Sequence, residues 1–214
     1  IKYLKKEGVI ISGGHTDSDY DTISMAYDNG MSMLTHFYSG MSTIKRVGGF
    51  RALGAVEAGY LIDGLALELI ADGMHLPPEL LRLIFKIKDM SKITACSDSM
   101  RGAGMGHGPS ILGPKNNGTD VIVEDGIAKM PDRTCFAGSV ATGGRLLKTL
   151  LLIMHLAPSK AAYLLSLHPS IIIGMDKDIG SIKIGKYADL LILDENANIN
   201  TVILGGKTVK REEI

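Results

Sequence analysis

Three histidines and one aspartate stand where a parallel α/β protein keeps its catalytic groups. Four short apolar runs that predict buried strands are followed, within a few residues, by His15, His36, His75 and Asp98. In parallel α/β folds the active site lies beyond the carboxyl ends of the strands. A lone histidine near a strand end is more often structural, and Asp98 alone would serve as a turn cap. The joint pattern instead predicts one shared site.

These residue types suit metal-assisted hydrolysis. Neutral imidazoles hold a divalent metal and leave a position open for water, whose pKa the metal lowers towards about 7. A carboxylate beside that water takes its proton and passes it to a leaving amine. A third histidine can hydrogen-bond a carbonyl oxygen as charge builds there. Catalytic zinc normally has three protein ligands, whereas the chain has no His-x-His motif and no obvious third ligand, so the site is incomplete.

The remaining histidines do not share this placement. His107 lies in a Gly-rich stretch, His155 lies on an amphipathic pattern, and His168 directly precedes a proline. We therefore predict that all three are structural or surface residues.

Composition excludes several classes of protein. Lys plus Arg and Asp plus Glu balance at 23 each, which is not the basic footprint of a nucleic-acid binder. The apolar run over residues 146–153 is interrupted by Lys148 and is too short to span a bilayer. The charge balance and the short apolar run therefore predict that the protein binds neither nucleic acid nor membrane. The two cysteines, Cys96 and Cys135, form no CxxC motif, which favours a reduced, cytoplasmic protein.

Strands and helices alternate in the first half of the sequence. Runs rich in apolar residues predict strands over residues 8–12, 31–35, 65–70 and 93–96. Asp17 or Ser18 is the predicted cap of a helix to about residue 29, and further helices are predicted over residues 51–60 and 77–88. This alternation is typical of βα units and predicts a parallel sheet.

The second half of the sequence does not continue this alternation of strands and helices. Residues 102–118 are rich in Gly, Pro and Asn and predict a long loop, followed by a hairpin that joins residues 121–123 to 127–130. Helices are predicted over residues 142–155 and 159–167. Residues 180–194 and 199–209, with a turn at Gly205 and Gly206, predict a separate small sheet.

Several motifs resemble the N-acetylglucosamine-6-phosphate deacetylase family, in one order along nearly the whole chain. They are GHTD at 14–17, THFYSGM at 35–41, IADGMH at 70–75, SDSM at 97–100, FAGS at 136–139 and GSIKIGKYADL at 180–190. The last is widespread among amidohydrolases and we expect it to be structural, whereas the ADGMH segment is more specific.

The resemblance implies roles for individual residues. His15 and His36 match two metal-binding histidines, Asp98 matches the acid/base that activates water, and His75 matches the residue that polarises the acetyl carbonyl. Zinc and iron suit such ligands alike. Further substrate-binding positions are implied at Ser39, Gly40, Arg46, Asp72, Gly73, Met74, Phe136, Ala137 and Gly138.

The sugar phosphate is expected to meet backbone groups of Ser39 and Gly40, with Arg46 as a side-chain partner and Lys45 or Arg51 as alternatives to it. The family usually has Asn-Ala where this chain has Ser39-Gly40. Backbone contacts should survive that change, whereas side-chain contacts need not. The resemblance also implies a homodimer of the full-length enzyme.

The implied fold is part of a TIM-type (β/α)8 metallo-hydrolase barrel over residues 1–175, with the C-terminal strands of a small β-sandwich over residues 176–214. The family carries a further upstream stretch with the first barrel strands and a metal-binding Glu. A complete barrel takes about 250 residues. We therefore expect a fragment, and eight barrel strands within the chain would contradict that expectation.

The function implied is hydrolysis of the acetamide of N-acetylglucosamine 6-phosphate, with a divalent metal and a small amino-sugar phosphate as substrate. One alternative is another amidohydrolase, such as a cyclic-amide hydrolase or a deaminase. Another is a non-catalytic half that binds metal weakly or pairs with another chain, which the missing third ligand favours.

Overall fold

The computed structural model describes residues 1–209. In chain order its strands are β1 (Ser12–Gly13), β2 (Met33–Leu34), β3 (Lys45–Val47), β4 (Phe50–Ala52), β5 (Ala66–Ile70), β6 (Ile93–Cys96), β7 (Gly108–Leu112), β8 (Thr119–Glu124), β9 (Ile127–Lys129), β10 (Leu190–Leu193), β11 (Ile199–Leu204) and β12 (Lys207–Val209). Its α-helices are α1 (Lys2–Lys6), α2 (Tyr20–Asp28), α3 (Ala55–Leu61), α4 (Pro78–Ile87), α5 (Gly143–Lys148), α6 (Pro158–Ala162) and α7 (His168–Ile172). Residues Thr149–Ile153 and Tyr163–Leu167 continue α5 and α6 as π-helical turns.

A parallel sheet carries the first half of the chain. Its strand order is β1-β2-β5-β6, and every pairing within it is parallel. The predicted parallel α/β arrangement is therefore confirmed, although β1 starts four residues later than the predicted run and keeps only Ser12 of it. Because the strands run the same way, their carboxyl ends share one edge of the sheet.

The core lies between this sheet and its helices. Leu67 and Leu69 of β5 are buried, and Leu81 and Ile84, three residues apart on α4, present one apolar face to the same cluster. Fully burying a side chain of this size stabilises the fold by about 1.5–3 kcal/mol. This core therefore stabilises the sheet that carries the shared carboxyl edge.

The start of α3 differs from the prediction. Residue 51 lies in the antiparallel β3–β4 hairpin, so the helix predicted from that position begins only at Ala55. The Glu57 side chain accepts the Gly54 N–H at 2.8 Å and fixes the start of the helix. A Cβ on Gly54 would lie 2.5 Å from the Ser42 backbone, so only glycine fits there.

The predicted long loop contains a strand. Within residues 102–118, β7 pairs antiparallel with β8, and β8 pairs with β9 in a three-stranded sheet. The loop prediction is wrong for this part, because Pro109 is tolerated on an edge strand. The predicted hairpin at Glu124-Asp125-Gly126 is confirmed.

The end of the described chain forms a separate antiparallel sheet, in the order β10-β11-β12. The turn at Gly205 and Gly206 is confirmed, with φ of 55° and 79°. Regular strand structure begins at Leu190 rather than at residue 180. The β-sandwich and the division at residue 176 stay predictions, and residues 210–214 of that domain lie outside the described range.

Within residues 1–209 the parallel sheet has four strands, half the number that closes a (β/α)8 barrel. In the same range, no helix combines the length and apolarity needed to cross a bilayer.

Candidate functional site

One cavity at the carboxyl edge of the parallel sheet gathers the four residues that strand order singled out. His15, His36 and Asp98 each stand two residues after their strand, and His75 stands five residues after β5. All four line an open cavity of about 470 Å³. The structure thus brings the predicted groups together, while their chemical roles stay predictions.

Three of these residues share an unusual backbone conformation. The φ angles of His15, His36 and Asp98 are +41°, +37° and +49°, in the left-handed region that side chains other than glycine rarely adopt. Such a conformation costs about 1–3 kcal/mol per residue and persists only where the surroundings enforce it. Backbone strain of this kind clusters at functional sites.

The two predicted metal ligands lie side by side. The ring centroids of His15 and His36 are 4.6 Å apart, and the rings are tilted by 53°. A Cβ on Gly40 would lie 3.0 Å from the His15 ring, so the glycine makes room for this imidazole. The two imidazoles therefore occupy one corner of the cavity.

One nitrogen in this pair has no partner. His36 Nδ1 is buried and makes no hydrogen bond, which costs about 1–3 kcal/mol for a buried polar group. An unpaired imidazole nitrogen fits a site for a cation, since neutral imidazole is a common metal ligand. However, residues 1–209 contain no group of three or more His, Cys, Asp or Glu arranged to hold a metal. The described donors thus fit two positions of a metal site and leave it incomplete.

Glu68 lies beneath the site and was missed by the sequence analysis. Its Oε2 accepts the backbone N–H of His36 at 3.2 Å. Burial chiefly, and then the carboxylates of Glu68 and Asp98, raise the pKa of the Cys96 thiol. A charged residue inside the apolar run of β5 was the available sequence signal.

His75 is held by a buried carboxylate. Asp72 is 1% exposed, and its Oδ2 lies 2.8 Å from His75 Nδ1. Its Oδ1 accepts the backbone N–H groups of Met74 and His75 at 2.8 and 2.9 Å. The ring of Phe136 lies edge-on to His75, with centroids 5.2 Å apart.

Asp98 is held in place by the FAGS segment. The Asp98 carbonyl accepts the Ser139 N–H at 3.0 Å, and the Met100 N–H donates to the Ser139 carbonyl at 2.9 Å. Ser99 Oγ donates to the Ala141 carbonyl. Residues 98–100 thus pair with the segment that follows Phe136.

Nine of the thirteen predicted site residues line the cavity: His15, His36, Ser39, Gly40, His75, Asp98, Phe136, Ala137 and Gly138. Three lining residues were not predicted, namely Ser99, Met100 and Leu112. Leu112 belongs to β7, which the sequence analysis assigned to a loop, so that strand supplies part of the wall.

Four predicted substrate contacts do not lie on the cavity wall. Asp72 is turned into the protein, where its carboxylate accepts two backbone N–H groups and lies 2.8 Å from His75 Nδ1. Gly73 (φ +77°) and Met74 form the turn that carries this carboxylate. Arg46 lies on the exposed strand β3, opposite Arg51 of β4. These four residues thus lie off the cavity wall in this structure, and their roles as substrate contacts stay predictions.

Comparison with known proteins identifies the family of the chain. The sequence profile of the Amidohydrolase family matches residues 6–209. The N-acetylglucosamine-6-phosphate deacetylase of Bacillus subtilis (strain 168) is 32% identical over 206 residues, which cover 96% of this chain and 50% of that protein. The N-acetylgalactosamine-6-phosphate deacetylase of Escherichia coli O157:H7 is 29% identical, over 97% of this chain and 52% of that protein.

Solved structures agree with these relatives. The N-acetylglucosamine-6-phosphate deacetylase of Thermotoga maritima superposes with a TM-score of 0.86 at 31% identity, over 99% of this chain and 55% of that one. A mutant of the Mycobacterium smegmatis enzyme, in complex with N-acetyl-D-glucosamine-6-phosphate, gives 0.86 at 26% identity, over 97% and 53%. The chain spans about half the length of the curated relatives it matches.

Proposed function

Because the chain belongs to the amidohydrolase family, we propose that its residues form part of the active site of an enzyme that hydrolyses the acetamide of N-acetylglucosamine 6-phosphate to glucosamine 6-phosphate and acetate. The observation that carries the proposal is the convergence of His15, His36, His75 and Asp98 on one cavity. The four parallel strands beneath it would be one part of a TIM-type barrel.

A divalent metal, zinc or iron, belongs to this proposal. His15 and His36 would hold it, and the unpaired Nδ1 of His36 supports that role. When bound, such a metal supplies Lewis-acid chemistry, which acidifies water and polarises a carbonyl oxygen. A further protein ligand would have to come from outside the described residues.

Asp98 is the proposed acid and base. Its carboxylate lies on the cavity wall, where it can take a proton from the attacking water. The same proton then passes from Asp98 to the sugar amine as the amide bond breaks. His75, on the same wall, donates a hydrogen bond to the acetyl oxygen as negative charge develops there.

The sugar phosphate is proposed to bind the backbone of Ser39 and Gly40, both on the wall. Arg46, on the exposed β3–β4 hairpin, does not line the cavity, so its contact with the phosphate stays a prediction. A homodimer and a cytoplasmic location accompany the proposal as predictions from the resemblance and from the sequence.

A second candidate function follows from the donor set. Since residues 1–209 offer two imidazoles and no third metal ligand beside them, this chain alone would bind metal weakly and catalyse nothing. Metal content per chain after dialysis separates the two: about one equivalent supports the enzyme, and none supports the non-catalytic candidate.

The test of the function is acetate release from N-acetylglucosamine 6-phosphate by the purified protein supplied with zinc or iron. Asp98→Asn should reduce turnover by about 10²–10⁴-fold, the usual contribution of a general acid/base, and leave metal binding unchanged. Asp125→Asn is the matched control, because Asp125 is also an aspartate with positive φ (+51°) but lies in the β8–β9 turn.

Near-normal turnover by Asp98→Asn would remove Asp98 from its role. A cyclic amide or an amino-nucleoside turned over in preference to the sugar would favour another amidohydrolase.

A further inference from the structure

Asp72 stands directly behind His75, and the proposed reaction gives it no part. Its side chain is fully buried, whereas that of His75 is 9% exposed and reaches the cavity wall. Three nitrogen atoms surround the carboxylate: His75 Nδ1 at 2.8 Å, and the backbone nitrogens of Met74 and His75, which donate to it at 2.8 and 2.9 Å. A buried carboxylate with these contacts keeps one orientation.

The protonation of this contact follows from its chemistry. Burial alone would raise the pKa of Asp72, but the hydrogen bonds from the His75 side chain and from the two backbone N–H groups outweigh it and lower the pKa to about 2. An ionised carboxylate only accepts hydrogen bonds. The hydrogen in the contact therefore belongs to His75 Nδ1, and Nε2 is the nitrogen left for a ligand.

Neighbouring groups fix both members of the pair. The edge-on Phe136 ring confines the imidazole, and Arg145 Nε donates to the Asp72 carbonyl at 3.0 Å. The guanidinium of Arg145 also donates through Nη1 to the Gly126 carbonyl in the β8–β9 turn. The three-stranded sheet and the Asp72 turn thus form one connected unit.

We infer that Asp72 is a positioning residue for His75: its carboxylate keeps a proton on Nδ1, presents Nε2 to the cavity, and is the counter-charge of an imidazolium that donates from Nε2. The inference rests on the proposed function in one respect, that the group facing Nε2 is the acetyl oxygen of the substrate. Which nitrogen of the His75 ring carries a proton can be measured without substrate. A hydrogen bond from an imidazolium is charge-assisted and stronger than one from neutral imidazole.

Asp72→Asn separates this role from a purely structural one. The two backbone N–H groups keep the Asn oxygen on their side, which turns its NH₂ group towards His75 Nδ1. Since NH₂ is a donor, Nδ1 must then become an acceptor, and a single proton stays on Nε2. Asp89→Asn is the matched control, because Asp89 accepts the Ser91 N–H at 2.7 Å but lies away from any histidine contact.

The primary measurement is the ¹⁵N chemical shift of the His75 ring nitrogens in histidine-labelled protein, assigned by loss of the signal in His75→Gln. We expect a protonated Nδ1 in the wild type and in Asp89→Asn, and an unprotonated Nδ1 in Asp72→Asn. An unprotonated Nδ1 in the wild type overturns the inference, and this reading stands even where Asp72→Asn does not fold.

Kinetics supply the second readout. Loss of the charge-assisted bond should lower kcat for acetate release by about tenfold with little change in KM, since charged hydrogen bonds exceed neutral ones by roughly 1–1.5 kcal/mol. Unchanged kcat in Asp72→Asn despite an altered ring state overturns the inference. A wild type with protonated Nδ1 but no deacetylase activity overturns the proposed function and supports the orientation of His75 by Asp72.

Discussion

The parallel sheet carries a cavity at each end, and the two differ in the groups that line them. The carboxyl-edge cavity measures about 470 Å³ and holds His15, His36 and Asp98 with left-handed backbone. The amino-edge cavity is larger, at about 570 Å³, and its wall includes Lys5, Lys92, Tyr163 and His168. None of the described residues on that second wall, glycine apart, has a positive φ.

The histidines make the same contrast more sharply. His168 is 5% exposed, donates from Nδ1 to the Ile93 carbonyl, and stacks on Tyr163 with an interplanar angle of 10°. The backbone N–H of His36 donates to Glu68, yet the buried Nδ1 of its ring has no hydrogen-bond partner. His168 is thus a satisfied structural residue, as predicted. One unpaired buried nitrogen and three left-handed residues, rather than cavity size, distinguish the carboxyl edge from the amino edge.

The largest effect on the difference between the two cavities is expected from replacing His36. Replacement by Asn, which tolerates left-handed backbone, should weaken zinc or iron binding by at least about 100-fold, since even residues that only support a metal ligand change affinity by 10–100-fold. Loss of activity should follow. The free energy of unfolding of the metal-free protein should stay equal or fall slightly, because the smaller Asn side chain exchanges one buried unpaired nitrogen for amide atoms that also need partners. Dialysis with elemental analysis and urea titration measure the two effects.

His155→Asn is the control for this change. His155 has the same residue type and a φ of +54°, but it is exposed and away from the cavity. Its replacement should leave metal binding as it is. Unaltered metal affinity in His36→Asn would show that this nitrogen is not a ligand.

At the other end the expected effect falls on stability. His168→Phe keeps an aromatic ring against Tyr163 but removes the donor to the Ile93 carbonyl. An unpaired buried acceptor costs about 1–3 kcal/mol, so the free energy of unfolding should fall by that amount. Activity per folded molecule and metal affinity should not change. A loss of activity with intact stability would assign chemistry to the amino-edge cavity and contradict the contrast.

Much of the carboxyl-edge site follows from sequence because it depends on local rules. The β6 strand matches its predicted bounds, since β-branched and small residues end there at the polar Ser97-Asp98 pair. Parallel pairing then places the residues after each strand at one edge. His15, His36, His75 and Asp98 could therefore be placed together without knowledge of their contacts.

Other features depend on contacts between distant segments, which local patterns do not show. Asp72 looks like a pocket residue in the ADGMH motif, but three hydrogen bonds turn its carboxylate inward. The β7 strand contains Gly108 and Pro109 and forms only because β8 pairs with it. Glu68 matters through the His36 backbone, 32 residues away in sequence.

The smallest effect is expected at Lys92, on the wall of the amino-edge cavity. Lys92 is half-buried on the amino-edge wall, just before β6, so Lys92→Met keeps an apolar stem and removes one positive charge. Its charge, after burial, helps lower the pKa of the buried Lys88, so its removal relieves a repulsion. Stability should stay within about 0.5 kcal/mol, as for substitutions away from core and network contacts. Because screening limits charge effects to about 8 Å at physiological salt, acetate release at the opposite edge should change by less than about twofold. A larger loss, measured beside His168→Phe, would mean that the two edges of the sheet are coupled and that left-handed backbone and an unpaired nitrogen do not by themselves locate the catalytic site.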